Sequence, residues 1–292
     1  MNKQFPRTTV GGISVSRMLM GTNWLLGWSH TGEAADNMIK SKFDSYEKFM
    51  PMLETYLSYG VDTIMAPFTS ATPYAPADNL IRAIRETEQK TGKKIIMVDT
   101  PGINVDDTPE GRREAEAVIK KSKENGAEIL LIHHGSCEQL VNKNKQIIDR
   151  LDDYTAMIRD HGMVPGLSAH MPEMVIYSDL NGYDVETYIQ IFNPMGFLMQ
   201  VEVESIARNI NNAKKPVMTI KSMAAGRCTP YVGLTFVWNA IRDCDMVTLG
   251  AFSPDEIHED VEISLAAIEH RFPKLSKRSS PIANQAAFGN NK

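Results

Sequence analysis

Eight short apolar runs rich in β-branched residues recur along the chain with helical segments between them, and this alternation restricts the fold more than any other feature. The runs fall at 17–21, 62–66, 94–98, 128–133, 163–168, 188–193, 217–220 and 246–249. Segments of helical spacing with charged outer faces lie at 45–59, 78–91, 108–126, 146–161, 201–213, 231–243 and 254–271. Strands that alternate with helices pair in parallel as βα units. Gly60, Gly92, Gly126 and Gly162 each close a helical pattern just before a strand, where a left-handed C-cap costs glycine little. Eight such units within 292 residues predict an α/β protein of the (β/α)8 TIM-barrel type. The barrel is expected to occupy 1–273 as one domain, and 274–292 to form a mobile or surface-laid tail. A doubly wound open sheet competes with this reading, but no G-x-G-x-x-G follows the first strand.

Charge and cysteine content narrow the partners. With 31 Lys and Arg against 36 Asp and Glu, the net charge of −5 argues against a nucleic-acid binder that relies on a basic face. No uncharged stretch reaches the roughly 18 apolar residues of a membrane span, and the start MNKQFPRTTVGG lacks the apolar core of a signal peptide. Three cysteines, Cys137, Cys228 and Cys244, are too few and too scattered for a disulfide framework, so a cytoplasmic protein with reduced thiols is expected. The expected partner is a small-molecule substrate, and a homo-oligomer is compatible with the composition.

An ordered series of segments covers residues 8–270: 13–22 (ISVSRMLMGT), 60–67 (GVDTIMAP), 129–135 (ILLIHHG), 166–170 (GLSAH), 192–196 (FNPMG), 220–226 (IKSMAAG) and 249–261 (LGAFSPDEIHEDV). In this order the series resembles the aldo-keto reductases. The resemblance implies their barrel and a tetrad in which a tyrosine, tuned by lysine and aspartate and helped by a histidine, protonates a carbonyl while a nicotinamide cofactor delivers hydride. Matching the segments puts Met65 at the aspartate position, Asp99 at the lysine position, Tyr74 at the tyrosine position and His133 at the histidine position. Ser168-Ala169 replaces the Ser-Asn that holds the nicotinamide amide. An anion in place of a cation beside a phenol raises its pKa, so the ordinary hydride route is expected to be impaired. The resemblance implies the fold more firmly than the reaction.

Residues that end successive barrel strands converge at one face. His30, Tyr74, Asp99, His133, His134, His170, Asn193 and Lys221 are therefore the candidate site. Asp99, His133, His134 and His170 offer oxygen and nitrogen donors suited to a divalent metal such as Zn, Mn or Fe. Adjacent strand residues face opposite sides, so one of His133 and His134 is expected to point outward. Lys221, on an apolar strand, either forms a Schiff base as a desolvated amine or holds an anion. Trp24, Trp28 and Tyr74 either form an aromatic platform for substrate or staple the long first connection to the rim.

Gly226, in the small-residue turn Ala224-Ala225-Gly226-Arg227, and Ser253, at the start of the last helix, are candidate phosphate contacts. Ser253-Pro254-Asp255-Glu256 also reads as a plain capping box. The acidic residues Asp255, Glu256, Glu259 and Asp260 would repel a 2′-phosphate.

The leading expectation is an enzyme acting on a small carbonyl or carbohydrate-like substrate by non-redox chemistry, as a lyase, isomerase or hydrolase. His133, Lys221, Tyr74 and Asp99 would be catalytic, with Trp24, Trp28, His30 and Asn193 at the substrate. The alternative is an atypical NAD(P)H-dependent reductase with Tyr74 and His133 handling the proton and Ser168, Gly226 and Ser253 at the cofactor. A non-catalytic binding barrel is the third reading.

Overall fold

The apolar runs form the strands they predict, because residues with branched side chains pack well on both faces of a buried parallel sheet. Residues 3–69 and 77–275 are described by the computed structural model. A leading hairpin pairs β1 (Arg7–Val10) with β2 (Ile13–Ser16). The barrel strands are β3 (Met18–Gly21), β4 (Thr63–Ala66), β5 (Ile96–Asp99), β6 (Ile129–Ile132), β9 (Val164–Ser168), β10 (Tyr188–Ile191), β11 (Val217–Ile220) and β12 (Met246–Leu249). They close in sequence order, with β12 pairing β3, and every pairing is parallel.

Helices fill the connections: α1 (Asn23–Leu26), α2 (Glu33–Lys42), α3 (Met50–Ser58), α4 (Ala77–Thr91), α5 (Pro109–Asn125), α6 (His134–Cys137), α7 (Leu151–Asp160), α8 (Pro172–Asn181), α9 (Val203–Asn212), α10 (Pro230–Ala240) and α11 (Pro254–Ile268). Strand alternation divides the core in two. Val98, Leu131, Ile189, Met218 and Met246 fill the barrel interior, whereas Met97, Leu130, Val217 and Val247 pack outward against the helices. The four glycines named as helix stops all have left-handed backbone, with φ of 72°, 67°, 101° and 69° at Gly60, Gly92, Gly126 and Gly162.

Several elements differ from the sequence reading, helix α2 in the long first connection among them. Gly11 and Gly12, at φ 54° and 85°, make the tight turn of the β1–β2 hairpin, which stoppers the N-terminal end with Val10 and Val15. The helix expected over 146–161 begins only at Leu151, since a small hairpin of β7 (Val141–Asn142) and β8 (Ile147–Ile148), with left-handed Gln146 in its turn and left-handed Arg150 just after it, takes up the first residues. Helix α8 was not foreseen; it is short and carries exposed Ile176 and Leu180, which blurs its apolar stripe. Most of the expected tail, 276–292, lies outside the described residues. Among those residues no helix is long and apolar enough to cross a membrane.

Buried charge at the N-terminal end is fully paired. Asp245, wholly buried, accepts hydrogen bonds from Val217 N at 2.8 Å and from Arg242 Nη2 at 2.6 Å. Arg17 Nε donates to the Asp245 carbonyl at 2.9 Å, and its guanidinium lies 5.3 Å from the Trp238 ring centroid. These contacts tie together the starts of β3, β11 and β12.

Candidate active site

The opposite, C-terminal end opens into a cavity of about 710 Å3, within the ordinary size of a small-molecule site. Apolar walls come from Trp24, Trp28, Met65, Ile189, Ile220 and Met223. The polar lining includes His30, His133, His134, His170, Lys221 and Ser168, and among the described residues no Asp or Glu lines it.

Both His133 and His134 reach the cavity. Strand alternation does not separate them because β6 ends at Ile132 and α6 begins at His134, so the backbone has already turned. His133 Nδ1 accepts the Gly135 N–H at 3.2 Å, which assigns the ring proton to Nε2 and leaves that N–H as the donor available to the cavity. The rings of His133 and His134 are 4.2 Å apart, and His134 stacks on His170 at 3.8 Å with 22° between planes. Glu138 fixes this stack from behind, accepting the backbone N–H groups of His170 at 2.5 Å and Met171 at 2.8 Å. Sequence reasoning did not single out Glu138. Its signal was the i, i+4 spacing to His134, which places the two side chains on one helical face.

Burial holds the imidazoles neutral. His133 is pushed down to about 4 and His170 to about 3, desolvation being the main cause and the neighbouring histidines and Lys221 adding to it. His134 and His30 are lowered for the same first reason.

Lys221 follows β11, where continued alternation after inward Met218 and Ile220 would turn its side chain outward. Its backbone is instead left-handed, at φ 60°, and the side chain lines the cavity. That conformation costs a residue with a Cβ roughly 1–2 kcal/mol. His30, at φ 57°, is a second non-glycine left-handed residue lining the same space. Desolvation lowers the Lys221 pKa, and among the described residues no ion pair offsets it.

Other candidates are placed differently. Asp99 is wholly buried on the outer face of β5, where its Oδ2 accepts hydrogen bonds from Thr69 Oγ1 and Ser122 Oγ, both at 2.6 Å. Burial pushes its carboxyl pKa up against those bonds. The next residue, Thr100, lines the cavity instead; a one-residue shift changes the face. Asp99 is therefore not brought together with the histidines. Among the described residues no group of three or more His, Cys, Asp and Glu side chains is arranged to hold a metal ion.

Asn193 spends its side chain on its own loop, accepting Met195 N and Phe197 N and donating to the Phe197 carbonyl. Ser253 caps α11, accepting Glu256 N at 3.2 Å, while Glu256 Oε2 reaches back past the cap to accept Phe252 N at 2.6 Å, so only the serine half of the capping box is formed. Gly226 lines the cavity at φ 83°. Trp24 and Trp28 both face the cavity, and Trp24 also packs edge-on to Phe252 at 6.0 Å. Tyr74 lies outside the described residues. Cys137 is buried, with its thiol pKa raised by desolvation, and donates to the carbonyls of Ile132 and Ser168.

Comparison with solved structures agrees with the barrel. A Pseudomonas aeruginosa protein assigned to the aldo-keto reductases superposes with a TM-score of 0.61 at 13% identity, covering 91% of this chain and 97% of that one. The glycerol dehydrogenase of Gluconobacter oxydans gives 0.55 at 11% identity, with 94% and 98% covered. The aldose reductase of Giardia lamblia gives 0.51 at 13% identity, with 99% and 98% covered. No family model and no curated protein matches the chain. The fold is thus an aldo-keto-reductase-like (β/α)8 barrel, with its cavity at the C-terminal end of the strands.

Proposed function

We propose that the chain is an oxidoreductase that interconverts a small carbonyl compound and its alcohol in this cavity, with a nicotinamide dinucleotide as redox partner. The observation that carries the reading is His133 in the cavity of an aldo-keto-reductase-like barrel, its Nδ1 taken by the Gly135 N–H so that a neutral ring turns its Nε2–H to the cavity. The donor set suits an anionic dinucleotide in part. Gly226, in the turn after Lys221, would face its pyrophosphate, and Ser168 its amide. The first turn of α11, where the family resemblance would seat a 2′-phosphate, already carries the Glu256 carboxylate on a backbone N–H. The reading is therefore for NADH over NADPH.

When bound, the dinucleotide supplies hydride to the carbonyl carbon. His133 Nε2–H donates to the carbonyl oxygen and stabilises the negative charge that develops there. A neutral imidazole serves as such a donor without giving up its proton. The proton that completes the alcohol is assigned to the Tyr74 hydroxyl on sequence grounds. The apolar walls exclude water from the reacting atoms. We place the protein in the cytoplasm, where its three unpaired cysteines stay reduced.

Titration with NADH and NADPH, followed by the fluorescence of Trp24 and Trp28, tests the reading. NADH is expected to bind more tightly and to be consumed with a carbonyl substrate; no binding up to about 1 mM, the upper end of ordinary enzyme affinities, contradicts it.

A non-redox lyase or isomerase is the second reading, favoured by the desolvated Lys221 beside imidazoles that are neutral bases. It predicts turnover with no nucleotide present.

A further inference from the structure

The chain is acidic, with 36 Asp and Glu against 31 Lys and Arg. Yet among the described residues the cavity at the C-terminal end presents no carboxylate. The segment outside those residues nearest in sequence, 70–76 (SATPYAP), contains no acidic residue either. The cavity offers one ammonium, Lys221, and four imidazoles, His30, His133, His134 and His170, each of which feels the Lys221 charge. Glu138 stands behind the stack with its carboxylate engaged by the N–H groups of His170 and Met171, and it does not line the cavity.

An ammonium that is half-buried and has no carboxylate partner among the described residues is costly, and a left-handed backbone adds to that cost. Elsewhere in this molecule the same problem is solved from within, since Arg242 meets Asp245.

We propose that the cavity holds a carbonyl compound bearing an oxyanion, carboxylate or phosphate, with the oxyanion seated on Lys221 and the carbonyl against the imidazole stack. The proposal rests on the reading of this site as one for carbonyl compounds and names the substrate class. Binding restores the ammonium's lost solvation with a charge-assisted hydrogen bond. It also fixes the carbonyl relative to His133, since the substrate is held at two points. Arg227, whose Nη2 donates to the His30 carbonyl at 3.5 Å, adds positive charge at the rim and draws the anion in. Because Lys221 must be charged to hold the oxyanion, affinity falls as pH rises through its titration. The facing groups, His30, His133, His134 and His170, are neutral over that range and do not mask the change.

Calorimetry on the full chain without nucleotide tests this with matched pairs: pyruvate against methyl pyruvate, and glycerone phosphate against dihydroxyacetone. The anionic member of at least one pair is expected to bind at least about tenfold tighter, a charge-assisted hydrogen bond's worth, and the pair with the larger gap identifies the oxyanion. Lys221→Met should erase that gap while leaving the neutral member's affinity unchanged, and Lys221→Arg should keep part of it. Circular dichroism verifies the fold of both variants; if Lys221→Met fails to fold, the wild-type pairs still decide. Equal affinity within both pairs overturns the proposal, as does a gap that survives Lys221→Met. Borohydride fixation of the ligand to Lys221 also overturns it, since that marks an imine and not an ion pair. Anion binding without NADH oxidation contradicts the reductase reading alone. NADH-dependent turnover indifferent to substrate charge contradicts this inference alone.

Discussion

The two ends of the barrel treat buried charge in opposite ways. At the N-terminal end Arg17 and Arg242 meet Asp245, whose side chain and carbonyl are consumed by protein donors. At the C-terminal end Lys221 faces apolar walls and neutral imidazoles, and among the described residues no carboxylate lines the space. Both arrangements desolvate a cation, yet only the first satisfies it internally. The contrast separates a charge that holds strands together from one held ready for a ligand.

Breaking the paired end should have the largest effect on stability. Asp245→Ala leaves the Arg242 guanidinium and the buried Val217 N–H without their carboxylate and is expected to cost about 3–5 kcal/mol in urea unfolding. Ligand affinity of the fraction still folded should be unchanged. At the open end the order of effects reverses. His133→Ala should lower kcat about 10²–10³-fold, the loss typical of one donor to a developing oxyanion, with little change in unfolding free energy. Steady-state kinetics beside a thermal melt separates the two outcomes. If His133→Ala destabilises as much as Asp245→Ala, the open end is structural too.

Acid titration sharpens the comparison further. His133 and His170 have folded values of about 4 and about 3, below the ordinary 6.5. The unfolded chain therefore binds protons first, and the stability these groups contribute is full above about pH 6.5 and is lost as pH falls toward 3–4. Replacing both by Gln should flatten the stability profile over that window. The smallest expected effect is at the α11 cap, where Ser253→Ala removes the bond to Glu256 N and should cost about 1 kcal/mol.

The fold was largely legible because its strands are buried on both faces. Runs such as 217–220 and 246–249 coincide with β11 and β12, and each glycine stop proved left-handed. The short hairpin at 141–148 and helix α8 were not, since a two-residue strand and an irregular apolar stripe carry little periodic signal. In the site, His133, His134, His170 and Lys221 gather in one cavity with Trp24, Trp28 and His30.

Asp99 and Asn193 do not join them, for different reasons. Asp99 falls on the outer side of a period-two strand, and Asn193 folds back on its own loop. Lys221 illustrates what sequence periodicity omits: its orientation depends on a single left-handed φ that no pattern of side chains encodes. Matching the family tetrad to Asp99 assumed that strand ends align residue for residue, whereas Thr100 is the residue that reaches the cavity.

The most direct test is the titration of the Lys221 amine itself, followed by NMR of protein labelled at lysine nitrogen, with Lys221→Met to assign the signal. The free protein should show Lys221 titrating below the ordinary 10.5, and a saturating oxyanion such as pyruvate or inorganic phosphate should move it upward. A Lys221 that titrates at the ordinary lysine value and ignores both anions would contradict the account.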